Sequence, residues 1–343
     1  MNILYGVCGE GLGHSSRAIA IADHLIKKGH KVKIITYGQA YTALKGKYDL
    51  FKAKGLHLIF KGNVLEKRRT LTYNLRHFTR NLKRLKEFDR LVKGFRPDVC
   101  ITDMEAIVPA LSRWYSLPLI SFDNQHRICN CHLKVPKRYY PDYLLAKEVI
   151  KTITRGVKYF IITDFVHLPV KKRYESRTVI VPPVIRKEII DLKTRNSGKI
   201  LVYLTKKNSP ILKVLSGIKQ QFVIYGYNQE KRKKNLTFRK RDSFLSDLAS
   251  CRAIIASAGY TLMSEALYLK KPYLALPLEG HFEQAINAFF LKEAGFGDYS
   301  ENLTEKDVIY FMYKLEDYRR SILLHNFDSN LVFNAIDMAL KSV

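Results

Sequence analysis

The stretch ASAGYTLMSEALYLKKPYLALPLEGHFEQAINA, residues 256–288, decides the fold. It overlaps the end of a short apolar run that starts with AII at 253–255, which has the composition of a buried strand. It then passes through the small-residue turn SAG at 257–259 into a helical pattern. Because such a turn leaves backbone N–H groups unpaired at the start of the helix, we predict a phosphate site there.

Polar residues further along this stretch are suited to binding a sugar nucleotide. Glu265 lies six residues beyond Gly259, about one and a half turns into the predicted helix. Its carboxylate can accept hydrogen bonds from both hydroxyls of a ribose. A second strand then carries Glu279, His281 and Gln284 to the same end of the sheet, where polar groups of this kind bind sugar hydroxyls.

The stretch resembles the nucleotide-sugar half of two-domain (GT-B) glycosyltransferases, and it is most similar to the MurG-like and macrolide-type families. The family pattern runs from a Ser/Gly turn through a helical Glu to a Pro-loop-Gln-Asn-Ala. It is matched here by Ser257, Gly259, Thr261, Glu265, Pro277, Gln284 and Asn287. The resemblance implies that Ser257, Gly259, Thr261, Glu265, Glu279, His281 and Gln284 bind the donor. The alternative is any Rossmann-like strand, turn and helix.

The N-terminus predicts a second unit of the same kind. A strand at 3–8 is followed by the loop GEGLGH at 9–14, a helical pattern at 18–28 and another strand at 32–36. These elements form the β-loop-α-β opening of a parallel sheet. The glycine spacing is not that of a dinucleotide fingerprint, and no acidic residue closes the second strand, which argues against an NAD enzyme. A Walker lysine is also missing, which argues against a P-loop ATPase.

The loop at 9–14 resembles the first loop of GT-B enzymes, whose glycines lie over the donor diphosphate or the acceptor. The resemblance implies donor contacts for Gly11 and Gly13, an acceptor contact for Glu10, and a place near the reaction centre for His14. An imidazole can take a hydroxyl proton at neutral pH, so we predict that His14 is the catalytic base. The alternative is that His14 only caps the helix that follows.

Polar residues also follow two later strands of the N-terminal half. Asp103 ends the strand at 99–102, and Asp123, Asn124 and His126 follow the strand at 119–122. Because ligands bind at the carboxyl ends of parallel strands, we predict that Asp103 orients His14 and that the other three bind acceptor hydroxyls. The alternative is ordinary loop capping.

The chain length and the double proline at 182–183 indicate the domain organisation. A chain of 343 residues is long enough for about two domains. We predict an α/β protein with two Rossmann-like domains, 1–184 and 185–325, that face each other across a cleft. A C-terminal helix, 326–343, is expected to cross back to the N-terminal domain. The loop after the strand at 200–204 lacks the family's glycines, but Thr205 can still donate a hydrogen bond to the donor.

The net charge is +28, from 59 Lys and Arg against 31 Asp and Glu. The segment 64–96, from Val64 to Arg96, has the apolar period of one long amphipathic helix with a basic face. That face is either a solvated surface or a contact with an anionic membrane or polyanion. A generally basic proteome is a third explanation of the charge. We expect no nucleic-acid partner.

The sequence predicts a cytoplasmic protein, either dissolved or peripheral on the inner face of the cytoplasmic membrane. Five cysteines, an odd number partly in apolar strands, fit reduced thiols. No signal peptide is apparent, and no apolar run reaches the roughly 18 residues that would span a bilayer. The cluster HRICNCH at 126–132 lacks the paired spacing of zinc sites, so we expect no metal.

These features together predict an inverting glycosyltransferase that needs no cofactor. It would move a sugar from a nucleoside diphosphate, UDP first, to a hydroxyl of a cell-envelope glycan or lipid-linked acceptor. Helix N-termini would stabilise the leaving diphosphate without a metal, and the chain has no Asp-x-Asp pair. One alternative is a UDP-sugar 2-epimerase of the same fold. Another is a basic membrane- or nucleic-acid-binding protein on a scaffold without activity.

Overall fold

The computed structural model describes residues 1–57, 59–61, 64–204, 210–325, 327–328 and 330–343. The chain divides into two compact units. The first unit comprises Met1–Val184 together with Asp328–Val343, and the second unit comprises Ile185–Phe327. Each unit contains its own parallel sheet with helices, which confirms the predicted α/β class.

The strands of the first unit form a parallel sheet in the order β3-β2-β1-β6-β7-β8-β9, and β4 and β5 form a small antiparallel pair. Most of them are short runs of apolar, β-branched residues that are buried on both faces, as expected for a covered parallel sheet. The strands are β1 (Asn2–Val7), β2 (Lys31–Thr36), β3 (Asp49–Lys52), β4 (Phe60–Lys61), β5 (Val64–Leu65), β6 (Val99–Asp103), β7 (Leu119–Asp123), β8 (Tyr159–Thr163) and β9 (Thr178–Val181).

The helices of the first unit connect these strands. They are α1 (Leu12–Lys27), α2 (Gly38–Leu44), α3 (Lys67–Leu82), α4 (Leu85–Phe95), α5 (Ile107–Trp114), α6 (Arg127–Asn130) and α7 (Tyr140–Ile153), with short 3-10 turns at Lys137–Tyr139 and Lys172–Arg177. The core includes Ile3 and Tyr5 of β1, which pack with Ile21 and Leu25 of α1. The first β-α unit is therefore fixed by the burial of apolar residues on both elements.

The second unit repeats the alternation, with the strand order β12-β13-β11-β10-β14-β15-β16. Neighbouring strands are parallel, except that β12 runs antiparallel to β13. Its strands are β10 (Ile200–Tyr203), β11 (Phe222–Tyr225), β12 (Lys231–Lys233), β13 (Leu236–Phe238), β14 (Ala253–Ser257), β15 (Tyr273–Leu276) and β16 (Gly297–Tyr299). Its helices are α8 (Lys187–Ile190), α9 (Ile211–Ser216), α10 (Phe244–Ser250), α11 (Tyr260–Tyr268), α12 (Phe282–Glu293), α13 (Glu305–Tyr313) and α14 (Leu315–Leu323), with a 3-10 turn at Arg241–Ser243.

The last helix, α15 (Asn330–Lys341), packs in the first unit. Val332, Ile336 and Leu340 are buried in the same core as β1 and α1. The side chain of Asp337 also accepts a hydrogen bond from His24 on α1, with 2.8 Å between Nε2 and Oδ1. The apolar face of α15 thus explains why the end of the chain belongs to the first unit.

The chain order reverses once in each parallel sheet. In the first unit the reversal lies between β1 and β6, and in the second unit it lies between β10 and β14. Ligands of open parallel sheets bind outside the carboxyl ends of the strands at such a reversal, because the connecting loops diverge there. This rule directs attention to the loops after β1, β6, β10 and β14.

Two predicted elements differ from the structure. The segment 64–96 is not one helix, because α3 ends at Leu82 and α4 begins at Leu85. Side-chain bonds to distant backbone hold the junction, since Asn81 bonds to the backbone of Lys54 and Arg84 donates to the carbonyl of Lys52. These partners are about thirty positions away in sequence, which the helical period could not indicate.

The basic connection 227–241, for which the run KRKK at 231–234 predicts a solvated loop, contains the hairpin β12–β13 at the edge of the second sheet. Leu236 and Phe238 are buried, while the side chains of β12 are exposed. Alternate residues of β13 pack on the core, and the basic β12 pairs with β13 as the edge strand of the sheet. Among the residues that the structure describes, no helix is both long enough and apolar enough to cross a lipid bilayer.

Candidate active site

His14 and Asp103 meet at the chain reversal of the first sheet. His14 lies in the first turn of α1, directly after the loop that follows β1, and Asp103 is the last residue of β6. Nδ1 of His14 lies 2.8 Å from Oδ1 of Asp103. The other ring nitrogen, Nε2, is thereby turned away from the carboxylate. The structure brings together the two residues that the sequence predicted to act as base and orienting acid.

Arg17, which sequence reasoning missed, completes this group. It lies one turn after His14 on α1, and its Nε donates to Oδ2 of Asp103 at 2.9 Å. Its Nη2 also donates to Oδ1 of the same carboxylate. Asp103 is fully buried and Arg17 nearly so, which makes this a buried two-point ion pair. The i, i+3 spacing of His14 and Arg17 was the available signal, since it places both side chains on one helix face.

The charges around Asp103 favour its ionised form. Burial alone would raise the pKa of the Asp103 carboxyl, but the nearby charges of Arg17 and His14 outweigh it and lower that pKa below its ordinary value. An ionised carboxylate only accepts hydrogen bonds, so Nδ1 of His14 must donate to it. Nη2 of Arg17 lies 3.1 Å from the same nitrogen, but that donor already bonds to Asp103. In the neutral ring this tautomer leaves the lone pair on Nε2, which is the atom that can accept a proton.

The glycines of the first loop have different tasks. Gly9 packs against Tyr37, and a side chain on Gly9 would collide with the Tyr37 ring. Gly11 adopts φ 77°, which favours glycine, and it caps α1 with nothing within 4 Å of where a side chain would start. Gly13 lies within the first turn of α1. The donor contacts of Gly11 and Gly13 stay predictions, at a helix start that attracts anions.

The predicted acceptor residues have partners within the first unit. Glu10 bonds to Nδ1 of His57 and is 35% exposed, so part of its carboxylate faces solvent. Asp123 is buried, and its Oδ1 accepts from the backbone N–H of His126 at 2.8 Å. The His126 ring bonds to Asp123 through Nδ1 at 2.7 Å and to Thr154 through Nε2 at 3.0 Å. Asn124 is also buried. These contacts resemble the loop-capping alternative, and acceptor binding by Asp123, Asn124 and His126 stays a prediction.

The turn that opens α11 in the second unit is held from two sides. The Tyr273 hydroxyl donates to the carbonyl of Ser257 at 2.7 Å, and Nδ2 of Asn287 donates to the carbonyl of Ala258 at 2.9 Å. Gly259 caps α11 with space around it, and Thr261 lies half-buried in the first turn. Because Tyr273 and Asn287 hold the turn's carbonyls, its backbone N–H groups are held ready for an anion.

Helix α12 follows the loop after β15, the strand that lies beside β14. His281 caps this helix, and its Nδ1 accepts from the backbone N–H of Gln284 at 3.4 Å. The Gln284 side chain accepts from the N–H of Leu278 at 3.1 Å, and Glu279 is exposed. Because β14 and β15 are adjacent and parallel, the N-termini of α11 and α12 lie at the same edge of the sheet. Sugar binding by Glu279, His281 and Gln284 stays a prediction.

Glu265 has a cationic partner that the sequence did not indicate. Its carboxylate receives Nε of Arg186 at 2.6 Å and Nη2 of the same residue at 3.1 Å. Burial raises the pKa of the Glu265 carboxyl, although Arg186 opposes the shift. The Glu265 side chain is 5% exposed against 31% for Arg186. A ribose would have to share this carboxylate with Arg186, using lone pairs that the guanidinium leaves available.

Two predictions remain, the donor contact of Thr205 and the absence of a metal at the cluster 126–132. Thr205 and the rest of the loop 205–209 lie outside the described residues. Within the ranges that are described, no three His, Cys, Asp or Glu side chains converge as metal ligands do, and this includes the cluster at 126–132.

Comparison with known proteins gives the family. Residues 1–316 match the model of the family described as glycosyl transferase family 1. The chain is 27% identical to an uncharacterized glycosyltransferase of Methanosarcina mazei, over 90% of this chain and 88% of that protein.

Solved structures agree in fold. The calicheamicin glycosyltransferase CalG4 is 15% identical with a TM-score of 0.68, over 100% of this chain and 98% of that one. The spinosyn rhamnosyltransferase SpnG, complexed with thymidine diphosphate, is 15% identical with a TM-score of 0.62, over 94% of each chain. The predicted GT-B architecture is confirmed by these likenesses, and the family match over residues 1–316 shows that the chain belongs to glycosyl transferase family 1.

Proposed function

We propose that this protein transfers a sugar from a nucleoside diphosphate to an acceptor hydroxyl, with inversion at the anomeric carbon. The observation that carries the proposal is the His14–Asp103 pair at 2.8 Å, placed at the chain reversal of the first sheet. An imidazole held by a buried carboxylate is the arrangement that general-base catalysis requires.

The first unit supplies the base. Nε2 of His14 takes the proton of the acceptor hydroxyl while the hydroxyl oxygen forms a bond to the anomeric carbon. The bond from that carbon to the diphosphate oxygen breaks, and its electron pair leaves with the nucleoside diphosphate. Asp103 stabilises the imidazolium that forms, and Arg17 keeps Asp103 ionised throughout. Attack from the side opposite the leaving group inverts the configuration.

The second unit binds the donor. Negative charge grows on the diphosphate as it leaves, and the N-termini of α11 and α12 place partial positive charge at one sheet edge. These helix ends allow a transfer that does not depend on a metal. The structural relative that holds thymidine diphosphate supports a nucleoside diphosphate as the leaving group. We take UDP-sugars as the first candidates and thymidine diphosphate sugars as the second.

We also propose a lipid-linked or cell-envelope acceptor and a peripheral contact with an anionic membrane. Support comes from the net charge of +28 and from exposed cations on α3 and α4 that include Arg68, Lys86 and Arg90. Such side chains are complementary to the anionic surface of a cytoplasmic leaflet.

A donor screen tests the proposed function. The melting temperature of the protein is measured with UDP, thymidine diphosphate, GDP and their common sugar conjugates, because a ligand that binds only the native state raises it. We expect one nucleotide class to raise the melting temperature, and we expect Glu265→Gln to reduce that rise more than the exposed control Glu293→Gln. Product analysis without acceptor should show intact donor or slow hydrolysis.

Two outcomes contradict the proposal. An epimerised sugar nucleotide formed without acceptor identifies a 2-epimerase. A screen in which no nucleotide or sugar nucleotide raises the melting temperature, combined with salt-dependent binding to RNA, identifies a basic binding protein instead.

A further inference from the structure

A cluster of basic side chains in the first unit takes no part in the chemistry above. Lys147 and Lys151 lie on α7, and Lys171 and Arg173 lie at the start of the neighbouring 3-10 turn. The Lys171 ammonium donates to the carbonyl of Cys129 at 2.7 Å, and the Cys129 thiol donates to the carbonyl of Lys147 at 3.7 Å, so Lys171 lies beside the middle of α7. Lys151 has an ion pair with Glu148 at 2.7 Å. A concentration of like charge of this kind favours a bound anion.

A cavity opens beside this cluster. Its volume is about 420 Å³, and its lining includes His126, Asn130, Lys151, Lys158, Phe160 and Arg177. Asn130 is buried, and its Nδ2 donates to the hydroxyl of Thr178 at 3.2 Å. Its Oδ1 has no hydrogen-bond partner among the residues that the structure describes. A buried carbonyl oxygen without a donor is unfavourable, so this cavity suits a ligand that brings both negative charge and a hydroxyl.

An exposed apolar surface continues from the cavity along α7. Tyr140, Leu144, Leu145 and Val149 are each between 43% and 53% exposed, on the helix that also carries Lys151. Trp114 is 67% exposed at the end of α5. The neighbouring Arg113 donates to the carbonyl of Arg155 at 2.8 Å, which places the end of α5 beside the end of α7. Clustered exposed apolar side chains with a tryptophan and flanking cations are typical of helices that lie in a membrane interface.

We propose that this surface, formed by α7, Trp114 and the cavity at Asn130 and Lys158, docks on an anionic lipid bilayer. The cavity accepts the phosphate and hydroxyl groups of a lipid head, while Leu144, Leu145 and Val149 contact the acyl region. The inference keeps the anionic membrane proposed above but moves the contact from α3 and α4 to α7, and it does not depend on sugar transfer. Charge and apolarity lie side by side here, which matches a phospholipid better than a free phosphate or an acidic protein.

The surface at α3 and α4 is the competing candidate. Several of its cations are already offset, because Arg69 pairs with Glu66, Arg84 with Glu87, and Lys93 with Asp89. Each of these pairs reduces the charge that the surface can offer to a bilayer. Because Lys151 of α7 is paired with Glu148 in the same way, the choice of α7 rests instead on its four exposed apolar side chains beside the cavity.

Vesicle sedimentation of the full chain tests the proposal. The probes are vesicles of phosphatidylcholine alone and of phosphatidylcholine mixed with phosphatidylglycerol. We expect binding to the mixed vesicles only, and we expect Lys151→Gln with Lys158→Gln to weaken it about twentyfold. Leu144→Ser with Leu145→Ser, both at exposed positions, should weaken it about tenfold. The matched controls Lys86→Gln with Arg90→Gln on α4, and Lys231→Gln with Lys233→Gln on β12, should change it less than threefold.

Several results would overturn the proposal. Equal losses in the α7 and α4 double variants would indicate general charge attraction, and a loss confined to α4 would select the competing surface. A melting temperature that rises with inorganic phosphate in wild type but not in the Lys151, Lys158 variant, without vesicle binding, would identify a free-phosphate site. Circular dichroism of each variant verifies folding, and donor binding measured in parallel keeps this result separate from the proposed transfer.

Discussion

The two loops at the chain reversals have the same topology and different chemistry. Each follows a buried strand and opens a helix, at Gly11 in the first unit and at Gly259 in the second. The loop of the first unit adjoins a titratable group, His14 with Asp103 and Arg17. The loop of the second unit consists of small residues whose carbonyls are held by Tyr273 and Asn287.

The difference shows that two loops of the same topology can carry different chemistry, because the residues of each loop determine it. Under the proposed function the first unit supplies a base, which needs an orienting acid, and the charge of that acid is neutralised there by a buried arginine. The second unit is proposed to bind the diphosphate, for which its helix ends offer N–H donors and positive potential from the backbone alone. The following predictions compare the two loops, from the largest expected effect to the smallest.

Removing the base should have the largest effect. We expect His14→Ala to lower kcat for glycosyl transfer by about a thousandfold, because general-base catalysis contributes on the order of 10² to 10⁴ in rate. The KM for the donor should change less than about threefold, since the residues proposed to bind the donor do not include His14. Steady-state kinetics with the donor from the screen measures both values.

His24→Ala is the matched control, because His24 lies on the same helix and also bonds to a carboxylate, that of Asp337. Its kcat should stay near that of wild type. A similar loss of kcat in both variants would show that His14 acts through the stability of α1 and not as a base.

The buried carboxyl group of Glu105, at the edge of the first sheet, should also make the stability of the protein depend on pH. Burial raises the pKa of Glu105 to about 7, against 4.5 for an ordinary glutamate, although the backbone N–H groups of Ile107 and Val108 bond to it. Between about pH 4.5 and pH 7 the Glu105 carboxyl is therefore mostly protonated in the folded protein and mostly ionised in the unfolded chain. Its stabilising contribution is full below about pH 4.5 and is lost as pH rises to about 7, by about 3 kcal/mol in all.

Glu105→Gln should remove this slope while lowering stability at all pH values, because its amide NH₂ cannot accept the second N–H. Urea denaturation between pH 5 and 8 measures the free energy of unfolding, with the fluorescence of the single tryptophan, Trp114, as the signal. Trp114 is the last residue of α5, the helix that follows Glu105. The difference between the pH profiles of wild type and variant gives the contribution of Glu105 separately from those of the other carboxyl groups. Parallel pH profiles in the two proteins would refute the assignment.

The two capping glycines should respond differently to alanine. Gly11 has φ 77°, where an alanine is strained, so Gly11→Ala should lower the free energy of unfolding by about 1 kcal/mol. Gly259 has φ −71°, which alanine adopts readily, so Gly259→Ala should leave stability within about 0.5 kcal/mol of wild type. Denaturant titration of both variants measures the two changes. Equal destabilisation would mean that the turns are constrained in the same way.

Much of the fold could be predicted from short-range sequence patterns. The strands predicted at 99–102 and 119–122 lie within one residue of the observed bounds of β6 and β7, because buried parallel strands are short apolar runs with polar ends. The helix break between α3 and α4 and the β12–β13 hairpin were not predicted. In both cases distant contacts decided the outcome, at the Asn81 to Lys54 bonds and at the buried Leu236 and Phe238.

The sequence by itself determined the alternation of strands and helices, the glycine turns and the motif residues that indicate the family, because these depend on neighbours a few positions apart. Only the tertiary structure decided which charges meet. Arg17 reaches Asp103 across 86 positions, and Arg186 reaches Glu265 across 79. Such pairs form when parallel strands and their loops are brought to one sheet edge, and burial then makes each charge require the other.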